Sequence, residues 1–434
     1  MKKTMLIIGG IVAAALIFVT VMLLTDKENP LEIEPTTAVE ESLPDIEFFE
    51  DSHKEGFIND STAPAKSVKI AEGKIVYLDG TEKSWLDVYQ EELDKPVDQK
   101  TFSFVEGTTL MTSFNSNTDF SKIVVPEGIQ ELESCFNNNF VACDVELPVS
   151  LNNMRHSFDN ARDMAITTRE GSHIVAIDNV LYSNAGATLW LYPEWKTDEE
   201  YIMPDTVTAI APEALIDNPY LKKIVFSNNL QTIAMNGVDG CPAVTVADLP
   251  DTVQIIDSSF NRMIALESLE IPKNCELQGL NFTRCPAMKL TVHPDNPYYT
   301  CENDVLYNKD KTTLIRYMEV KEDERFETPS TVTDIGASAF AFNKHLEILT
   351  INEGVTTVGT FFADCNALTT VNLPASLTSI KTMTFTRLPK LTSVNFAGTM
   401  EQWLHVDKGV DWIISSLEYK LNCSDESISY KGTT

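Results

Sequence analysis

The side chains that could carry chemistry are scattered along this 434-residue chain. Its six histidines and eight cysteines are residue types that bind metals, yet no His-x-x-x-His or Cys-x-x-Cys spacing joins them. The sequence also has no Gly-x-Ser-x-Gly nucleophile elbow and no phosphate-binding loop. Paired carboxylates at Glu199-Glu200 and Glu322-Asp323 lie in charged segments, where exposure to water accounts for them. We therefore predict a non-catalytic protein with no cofactor and no metal, while a triad assembled only in three dimensions stays open.

Any site would have to be positioned by a repeat of 22 or 23 residues. An aromatic or apolar residue, called here the landmark residue, returns at this interval in three runs. They are Phe114, Phe136 and Phe158, then Leu215, Val238, Phe260 and Phe282, and then Phe340, Phe362 and Phe385. A fixed period of this length is typical of a solenoid, whose turns stack and bury their apolar faces against each other.

The repeat also has an internal pattern that predicts its strands. Phe362 is followed by apolar residues at Leu368, Val371 and Leu373, and the last two alternate with polar residues, as in a strand with one buried face. A second apolar pair, here within residues 377–380, predicts a second inward-facing segment. Between the two, most repeats have a proline, which ends a strand because it lacks an N–H. These prolines are Pro126, Pro148, Pro250, Pro272 and Pro374.

These units resemble the BspA-like leucine-rich repeats, which read roughly as apolar-x-x-Ile-Gly-x-x-Ala-Phe-x-x-Cys-x-x-Leu-x-x-Ile-x-Ile-Pro. The nearest copies are residues 332–340 and 362–368, and the resemblance covers residues 110–425. It implies a leucine-rich-repeat solenoid with parallel strands on one face and short turns, helices and second strands on the other. It also implies a bacterial cell-surface protein that acts in adhesion or protein binding. Residues 397–403 and 421–425 resemble the segments that close such arrays.

Two longer steps, of 57 and 58 residues, separate the three runs of landmark residues. Each is predicted to hold an insertion of about 35 residues beyond one repeat, near residues 170–200 and 294–325. The insertions match each other in residues 179–182 (Asn-Val-Leu-Tyr) and 304–307 (Asp-Val-Leu-Tyr), and we predict β-hairpins turning near residues 183–186 and 308–311. BspA-like proteins have the same Val-Leu-Tyr hairpin, which favours a structural elaboration; a dedicated binding loop is the alternative.

The first residues predict a membrane anchor. Residues 5–24 are 20 residues without a charge, about the length of a helix that spans a bilayer. Lys2 and Lys3 precede this run, and such a positive flank stays in the cytoplasm. We predict a cytoplasmic stub over residues 1–4, a transmembrane signal anchor over residues 5–24 and an extracellular remainder. A cleaved signal peptide, which would give a secreted protein, is the alternative, but no small-x-small cleavage site surrounds Leu24.

The other predicted segments follow from composition and repeat phase. Residues 25–65 hold 12 acidic residues and two lysines, which predicts a disordered linker. Residues 66–109 are predicted to cap the solenoid, with a hairpin turning near residues 71–73 and a helix over residues 85–93. The solenoid is predicted over residues 110–396, and a C-terminal cap and tail over residues 397–434. In that cap, Trp403 is predicted to seal the last turn; binding of a sugar is the alternative.

The cysteines follow the phase of the repeat. Cys241, Cys285 and Cys365 each lie three residues after a landmark residue, a position that Asn218 and Asn343 occupy in other turns. We predict an inward slot in which a small side chain bonds the backbone. Its cysteines are too far apart to pair, since turns two repeats apart exceed the Cα separation that a disulfide allows. We therefore predict free, buried thiols. One isolated disulfide stays open among Cys135, Cys143, Cys275, Cys301 and Cys423.

The net charge and the outward residues of the predicted strands limit the kinds of partner that this chain could bind. A net charge of −31 argues against nucleic acid as a partner. The residues that alternate with the inward positions should face outward, and they are polar, mixed in sign and poor in aromatic rings. They are Lys122, Val124, Asp144, Glu146, Lys223, Val225, Ser268, Glu270, Thr370, Asn372, Ser393 and Asn395. The repeats around residues 164–166 and 288–292 do not follow this pattern of inward and outward positions.

We predict a cell-surface leucine-rich-repeat protein that mediates adhesion or protein–protein interaction. Its partner would be a protein or a cell-surface polymer of unknown identity, and it would contact its own membrane through residues 5–24. An envelope scaffold that organises other membrane proteins is the first alternative, and a secreted enzyme is the second. The sequence assigns no particular binding residues.

Overall fold

The chain winds into a β-solenoid of about 12 turns, in which successive turns add strands to parallel sheets. The computed structural model describes residues 58–59, 68–71, 74–77, 82–84, 101–104 and 110–112, and then residues 122–430 except 126, 134, 138–142, 156, 160, 163, 184, 361 and 415–417. All of these strands belong to the unit Ser52–Thr434. Within the described ranges, no helix has the length and apolar character needed to cross a membrane. The predicted stub, the anchor over residues 5–24, most of the linker and the helix over residues 85–93 lie outside them.

The first parallel sheet, called the front sheet, contains the strands predicted from the landmark repeat. It falls into four hydrogen-bonded segments. Its parallel strands are Thr101–Phe104, Lys122–Val124, Cys143–Leu147 and Met164–Thr168, then Glu200–Ile202, Lys223–Val225 and Val246–Asp248, then Ser268–Ile271 and Lys289–Val292, and then Arg325–Glu327, Ile348–Thr350, Thr370–Leu373, Ser393–Phe396 and Tyr419–Asn422. Ile58–Asn59 and Ser427–Tyr430 are antiparallel strands at its two ends.

The second parallel sheet, the back sheet, contains the predicted second inward segments. Its parallel strands are Leu110–Thr112, Glu131–Glu133 and Asn153–Arg155, then Thr188–Leu191, Ala209–Ile210, Thr232–Ile233, Ile255–Asp257 and Glu276–Gln278, and then Thr313–Tyr317, Asp334–Ile335, Thr357–Val358, Ser379–Ile380 and Asp407–Lys408. Two short parallel pairs lie at landmark positions: Leu215–Ile216 with Val238–Asp239, and Phe385–Thr386 with Ile413–Ile414.

Proline forms the corner between the two sheets, as predicted. Pro272 and Pro374 directly follow front strands. Their carbonyls accept the N–H of Cys275 and Leu377, each at 3.2 Å, which closes a four-residue turn. A missing N–H and a fixed φ therefore end these two strands where the chain changes sheet.

The ends of the solenoid extend beyond the predicted boundaries. The predicted hairpin pairs Val68–Ala71 with Lys74–Tyr77, and Glu82–Ser84 adds a third antiparallel strand. Thr101–Phe104 already pairs in parallel with the next front strand, inside the segment predicted as a cap, and Ile58–Asn59 pairs with it from within the predicted linker. At the other end, the predicted C-terminal cap contributes further parallel strands and the helix α1 (Met400–His405).

Each insertion is a three-stranded antiparallel meander that joins the back sheet. The first meander consists of Ile174–Ile177, Val180–Ser183 and Thr188–Leu191, and the second of Tyr299–Glu302, Val305–Asn308 and Thr313–Tyr317. The predicted turns lie between the second and third strands, and the first strand of each meander was not predicted. The first two strands are joined by Asp178-Asn179 and Asn303-Asp304, which all have positive φ, as a type I′ hairpin turn requires.

The first turn of each meander also ends a segment of the front sheet. The side-chain oxygen of Asn179 accepts the N–H of Ile166 at 2.9 Å, and that of Asp304 accepts the N–H of Leu290 at 3.2 Å. Both donors lie on the last front strand before a meander. A side chain thus occupies the place of the next strand, which explains why the front sheet is interrupted after Met164–Thr168 and after Lys289–Val292.

The meanders divide the apolar interior of the described residues into three cores. The N-terminal core runs from Ile123 to Leu181, the middle core from Val180 to Met318 and the C-terminal core from Val305 to Leu421. The Val-Leu-Tyr strand is buried on both faces because its leucine packs in one core and its valine and tyrosine pack in the next. Each such strand is therefore a wall between two cores.

The landmark column contains two further members that the period of 22 or 23 residues did not predict. Tyr192 and Tyr317 are fully buried, each 23 residues before a landmark residue. Their backbone N–H groups bond Ala214 O at 2.6 Å and Ala339 O at 2.7 Å. Each acceptor directly precedes the next landmark residue, as Thr384 does for the N–H of Phe362. The prediction of about 35 extra residues per insertion was therefore wrong. Each long step is one extended turn followed by one ordinary turn.

Candidate interaction face

The outward side of the front sheet is the surface that the repeat presents most regularly. None of the outward residues predicted from the repeat is buried, whereas the residues between them, such as Ile123, Val371 and Val394, are. The prediction of a one-sided sheet is thus confirmed. The two irregular repeats keep the alternation, but their inward residues, such as Ile166 and Leu290, come one position earlier in the turn.

Ion pairs cover the outward side of the N-terminal core. Glu146 binds Lys122 Nζ and Arg169 Nε, each at 2.7 Å, and the other end of the Arg169 guanidinium pairs with Glu127. Hydrogen bonds from Lys122 and then Arg169 hold the pKa of Glu146 below its usual range. The repeat pattern did not predict the ion pairs of Arg169, because its partners lie one and two turns away. Since these charges neutralise each other, they leave little net field for a ligand.

The middle of the face combines charge with exposed apolar side chains. The carboxylates Glu199 and Glu200 bind Lys222 at 2.6 Å and Lys223 at 2.7 Å, so this acidic pair forms ion pairs with the following turn. In the neighbouring outward column, Ile202 is 66% exposed and lies in register with Val225. Asp323 in the second acidic pair bonds Lys321 at 2.9 Å and the Tyr317 hydroxyl at 3.1 Å.

Side-chain amides connect the C-terminal strands. Asn372 Nδ2 donates to Thr350 Oγ1 at 2.8 Å, Asn395 Nδ2 to Asn372 Oδ1 at 2.7 Å, and Asn422 Nδ2 to Asn395 Oδ1 at 2.8 Å. The Ser393 hydroxyl also lies 3.0 Å from Asn395 Oδ1. This amide ladder crosses four consecutive strands of the front sheet.

Beside the landmark column, two carboxylates share one guanidinium. Arg262 binds Asp217 at 2.7 Å and Asp239 at 2.9 Å, and the Asp239 side chain is only 6% exposed. Gly240, at φ +64°, makes room for the cluster, since a Cβ there would collide with Asp217 and Arg262. Burial raises the pKa of Asp239 to about 6, against the opposing effect of Arg262.

This raised pKa predicts a measurable pH dependence at Asp239. The folded state holds the Asp239 proton more tightly than the unfolded state, so its contribution to stability is full below about pH 4 and is lost as the pH rises through about 6. We expect the wild type to gain up to about 3 kcal/mol relative to Asp239→Asn between pH 7 and pH 4. Urea unfolding at both pH values measures this. Asp248→Asn, an exposed front-sheet carboxylate, is the control, and equal pH slopes in all three proteins would contradict the prediction.

Residues 195–311 and 317–404 match the BspA type leucine-rich repeat region, in six copies. The six matched copies are BspA-type leucine-rich repeats. The match lies within the middle and C-terminal cores, and the gap between its two parts, residues 312–316, overlaps the third strand of the second meander.

Several solved structures resemble the chain. The pneumococcal vaccine antigen PcpA is 19% identical, with 81% of this chain and 87% of that chain covered and a TM-score of 0.40. A leucine-rich cell surface protein from Faecalibacterium prausnitzii is 16% identical, with coverage of 80% and 99% and a TM-score of 0.34. A leucine-rich repeat protein from Eubacterium ventriosum is 15% identical, with coverage of 85% and 86% and a TM-score of 0.33. A search of the curated proteins gives no match.

The cysteine slot of the BspA-type repeats is an internal hydrogen-bonding position, as predicted. The thiol of Cys365 lies 2.9 Å from Phe340 O, and that of Cys285 lies 3.1 Å from Phe260 O, so each bonds the landmark carbonyl of the preceding turn. In the same slot, Asn343 bonds Lys321 O and the N–H groups of His345 and Leu346. Free thiols are confirmed for Cys241, Cys275, Cys285, Cys301, Cys365 and Cys423, of which Cys301 and Cys423 are half-buried.

Thiol reactivity should follow this burial. Desolvation raises the pKa of Cys241, Cys285 and Cys365 to about 12, so almost no thiolate is present at neutral pH. We expect iodoacetamide to alkylate these three cysteines only after unfolding in urea. Mass spectrometry of labelled peptides measures this, with half-buried Cys423 as the internal reference. Equal labelling of Cys365 and Cys423 in the folded protein would contradict the prediction.

Trp403 is buried, as predicted, but one further turn of parallel strands follows it, so it packs between the last two turns and does not seal the end. It is buried at 2% exposure and packs against Phe396 at 5.2 Å and Trp412 at 5.5 Å between ring centroids. The capping box of α1 orients it, because Thr399 and Gln402 exchange side-chain and backbone hydrogen bonds. A sugar therefore has no access to this indole ring.

The remaining candidate residues stay apart in the described part of the chain. His173, His345 and His405 are exposed and His293 is half-buried, whereas His53 and His156 lie outside the described residues. In that part of the chain, no three His, Cys, Asp or Glu side chains come together to hold a metal ion. The outward side of the front sheet is therefore the best-supported candidate site.

Proposed function

We propose that this chain is a non-catalytic interaction module that a membrane anchor at residues 5–24 displays outside the cell. BspA-type leucine-rich repeats support a role in protein interaction. Adhesion to a protein or cell-surface polymer is the finer proposal, and the outward side of the front sheet is its site.

The observation that carries the proposal is the regularity of that outward side. Strands from Lys122–Val124 to Tyr419–Asn422 present side chains at a nearly fixed spacing, and the corners and cores beneath hold them in place. A broad, rigid and mostly polar surface suits contact with a large partner rather than enclosure of a small substrate.

Binding by the full chain tests this function. The full chain, labelled and held in detergent, is incubated with whole cells, matrix proteins and cell-wall polymers. We expect saturable binding to at least one of them. Ile202→Glu/Val225→Glu, which adds charge to the middle of the face, should alter binding to a protein partner, while the back-sheet variant Thr357→Glu/Ser379→Glu serves as the control. Absence of binding to every target would refute the proposal.

Protease treatment of intact cells tests the proposed orientation. We expect a cell-impermeant protease to remove the repeats while the anchor stays in the membrane fraction. Protection of the repeats in intact cells, with cleavage only after lysis, would refute the outward orientation. Crosslinks that join the chain only to proteins of the same membrane would favour an envelope scaffold over adhesion.

A further inference from the structure

Three neighbouring strands of the front sheet over the C-terminal core differ from the rest of the sheet in charge, with Arg325 and Glu327 on one side of them and Lys420 on the other. Across the three strands Ile348–Thr350, Thr370–Leu373 and Ser393–Phe396, no outward side chain is charged. This uncharged face consists of Ile348, Thr350, Thr370, Asn372, Ser393 and Asn395, and Asn422 continues its amide column. In a chain with a net charge of −31, a surface without charged side chains favours a partner that is itself uncharged.

The amide ladder fixes the polar groups of the uncharged face. Asn372 and Asn395 each use one amide N–H to bond the preceding strand. A side-chain amide has two N–H donors, so each keeps a second one beside the hydroxyls of Thr370 and Ser393. These groups recur along the axis once per turn, at the strand spacing of about 4.7–4.9 Å. Their order requires no rearrangement when a ligand binds, which lowers the entropic cost of binding.

We propose that the uncharged face binds a neutral polysaccharide that lies along the solenoid axis. Sugar hydroxyls donate and accept hydrogen bonds, as do the amides and hydroxyls of the face. The centre of a typical protein interface is enriched in aromatic residues, methionine and arginine, and the uncharged face has none of them. Without aromatic stacking, each sugar unit contributes little, so binding depends on simultaneous contacts of neighbouring sugar units with all the strands of the face. This inference rests on the proposed function and names its partner class.

Pull-down of the full chain on insoluble neutral polysaccharides tests the inference. Amorphous cellulose, chitin and mannan are the probes, and the detergent has no sugar head group. We expect binding to at least one probe that is the same in 0.1 M and 1 M salt, since no ion pair contributes. The free monosaccharide should compete poorly, because it cannot contact all the strands of the face at once. Failure to bind any of the three probes, or loss of binding in high salt, would overturn the proposal.

Substitutions locate the binding surface. Asn372→Asp/Asn395→Asp adds two charges and breaks the amide ladder, and it should weaken binding at least tenfold, or about 1.4 kcal/mol. Thr370→Lys adds a charged side chain while the ladder stays intact, so it should weaken binding even if the double variant unfolds. Asn152→Asp/Asn228→Asp makes the same charge change at exposed positions off the face and should bind like the wild type. Thermal unfolding checks that each variant is folded.

The outcomes separate this inference from the proposed function. If the Asn372→Asp/Asn395→Asp and Thr370→Lys variants still bind cells or proteins like the wild type, but the wild type binds no neutral polysaccharide, the interaction module stands and the uncharged face is not its site. If the wild type binds nothing, both proposals fail. Equal polysaccharide binding by Thr370→Lys and the control would place the polysaccharide on another surface and overturn the inference.

Discussion

Replacing Phe362 by alanine is expected to lower the free energy of unfolding of the C-terminal core by roughly 3–5 kcal/mol. Phe362 is fully buried, and its ring centroid lies 5.3 Å from that of Phe340 and 5.5 Å from that of Phe385. Its backbone N–H also bonds Thr384 O at 2.7 Å, which fixes the spacing to the next turn. The turns on either side cannot move together to fill the hole, so the cost should be near the upper end of that range.

Urea unfolding, followed by hydrogen exchange in peptides from the C-terminal core, measures this loss. Phe362→Leu should lower the free energy of unfolding by less than Phe362→Ala, because the leucine side chain still fills part of the space. Leu404→Ala, at a side chain that is 73% exposed, is the control and should change stability by less than about 0.5 kcal/mol. A loss at Phe362 no larger than at Leu404 would show that the aromatic column does not hold the turns together.

The sequence predicted the strands because their signal is local. Val394 and Phe396 alternate with polar residues within one turn, so their burial can be inferred without knowledge of any other turn. The proline corners are predictable for the same reason. The cysteine slot needed only the phase of the repeat, since the landmark carbonyl always lies in the preceding turn.

Tyr192 and Tyr317 were missed because a meander lengthens the turn before them. Each follows the previous landmark residue by 34 or 35 residues, so a search for a step of 22 or 23 passes over it. The signal that could have found them is the regular step of 23 residues to the following landmark, Leu215 or Phe340. The third strand of each meander takes the place of an ordinary back strand, which returns the chain to phase.

The polar features of the face depend on register between turns, which composition does not determine. Arg169 reaches carboxylates 23 and 42 residues away, and Asn395 reaches Asn372 across 23 residues. An insertion or deletion of one residue in an intervening turn would move these side chains out of contact. The outward columns were therefore predictable as columns, whereas the ion pairs and the amide ladder needed the structure.

Adjacent residues in the first Val-Leu-Tyr strand are expected to stabilise different cores. Leu181 is fully buried in the N-terminal core, whereas Val180 packs in the middle core at 3% exposure. Leu181→Ala should destabilise the N-terminal core by roughly 2–5 kcal/mol. Val180→Ala removes the equivalent of two CH₂ groups and should cost the middle core about 2 kcal/mol.

Hydrogen exchange along the full chain distinguishes the two effects. Leu181→Ala should speed exchange in Met164–Thr168 and leave Lys223–Val225 unchanged, and Val180→Ala should do the reverse. The second meander offers a matched pair, since Leu306 packs in the middle core and Val305 in the C-terminal core. If both variants of a pair speed exchange in the same strands, the solenoid unfolds as one cooperative body and the meanders are not walls. If each affects only its own side, the solenoid consists of separately stabilised blocks, because contacts in a repeat array are between neighbours.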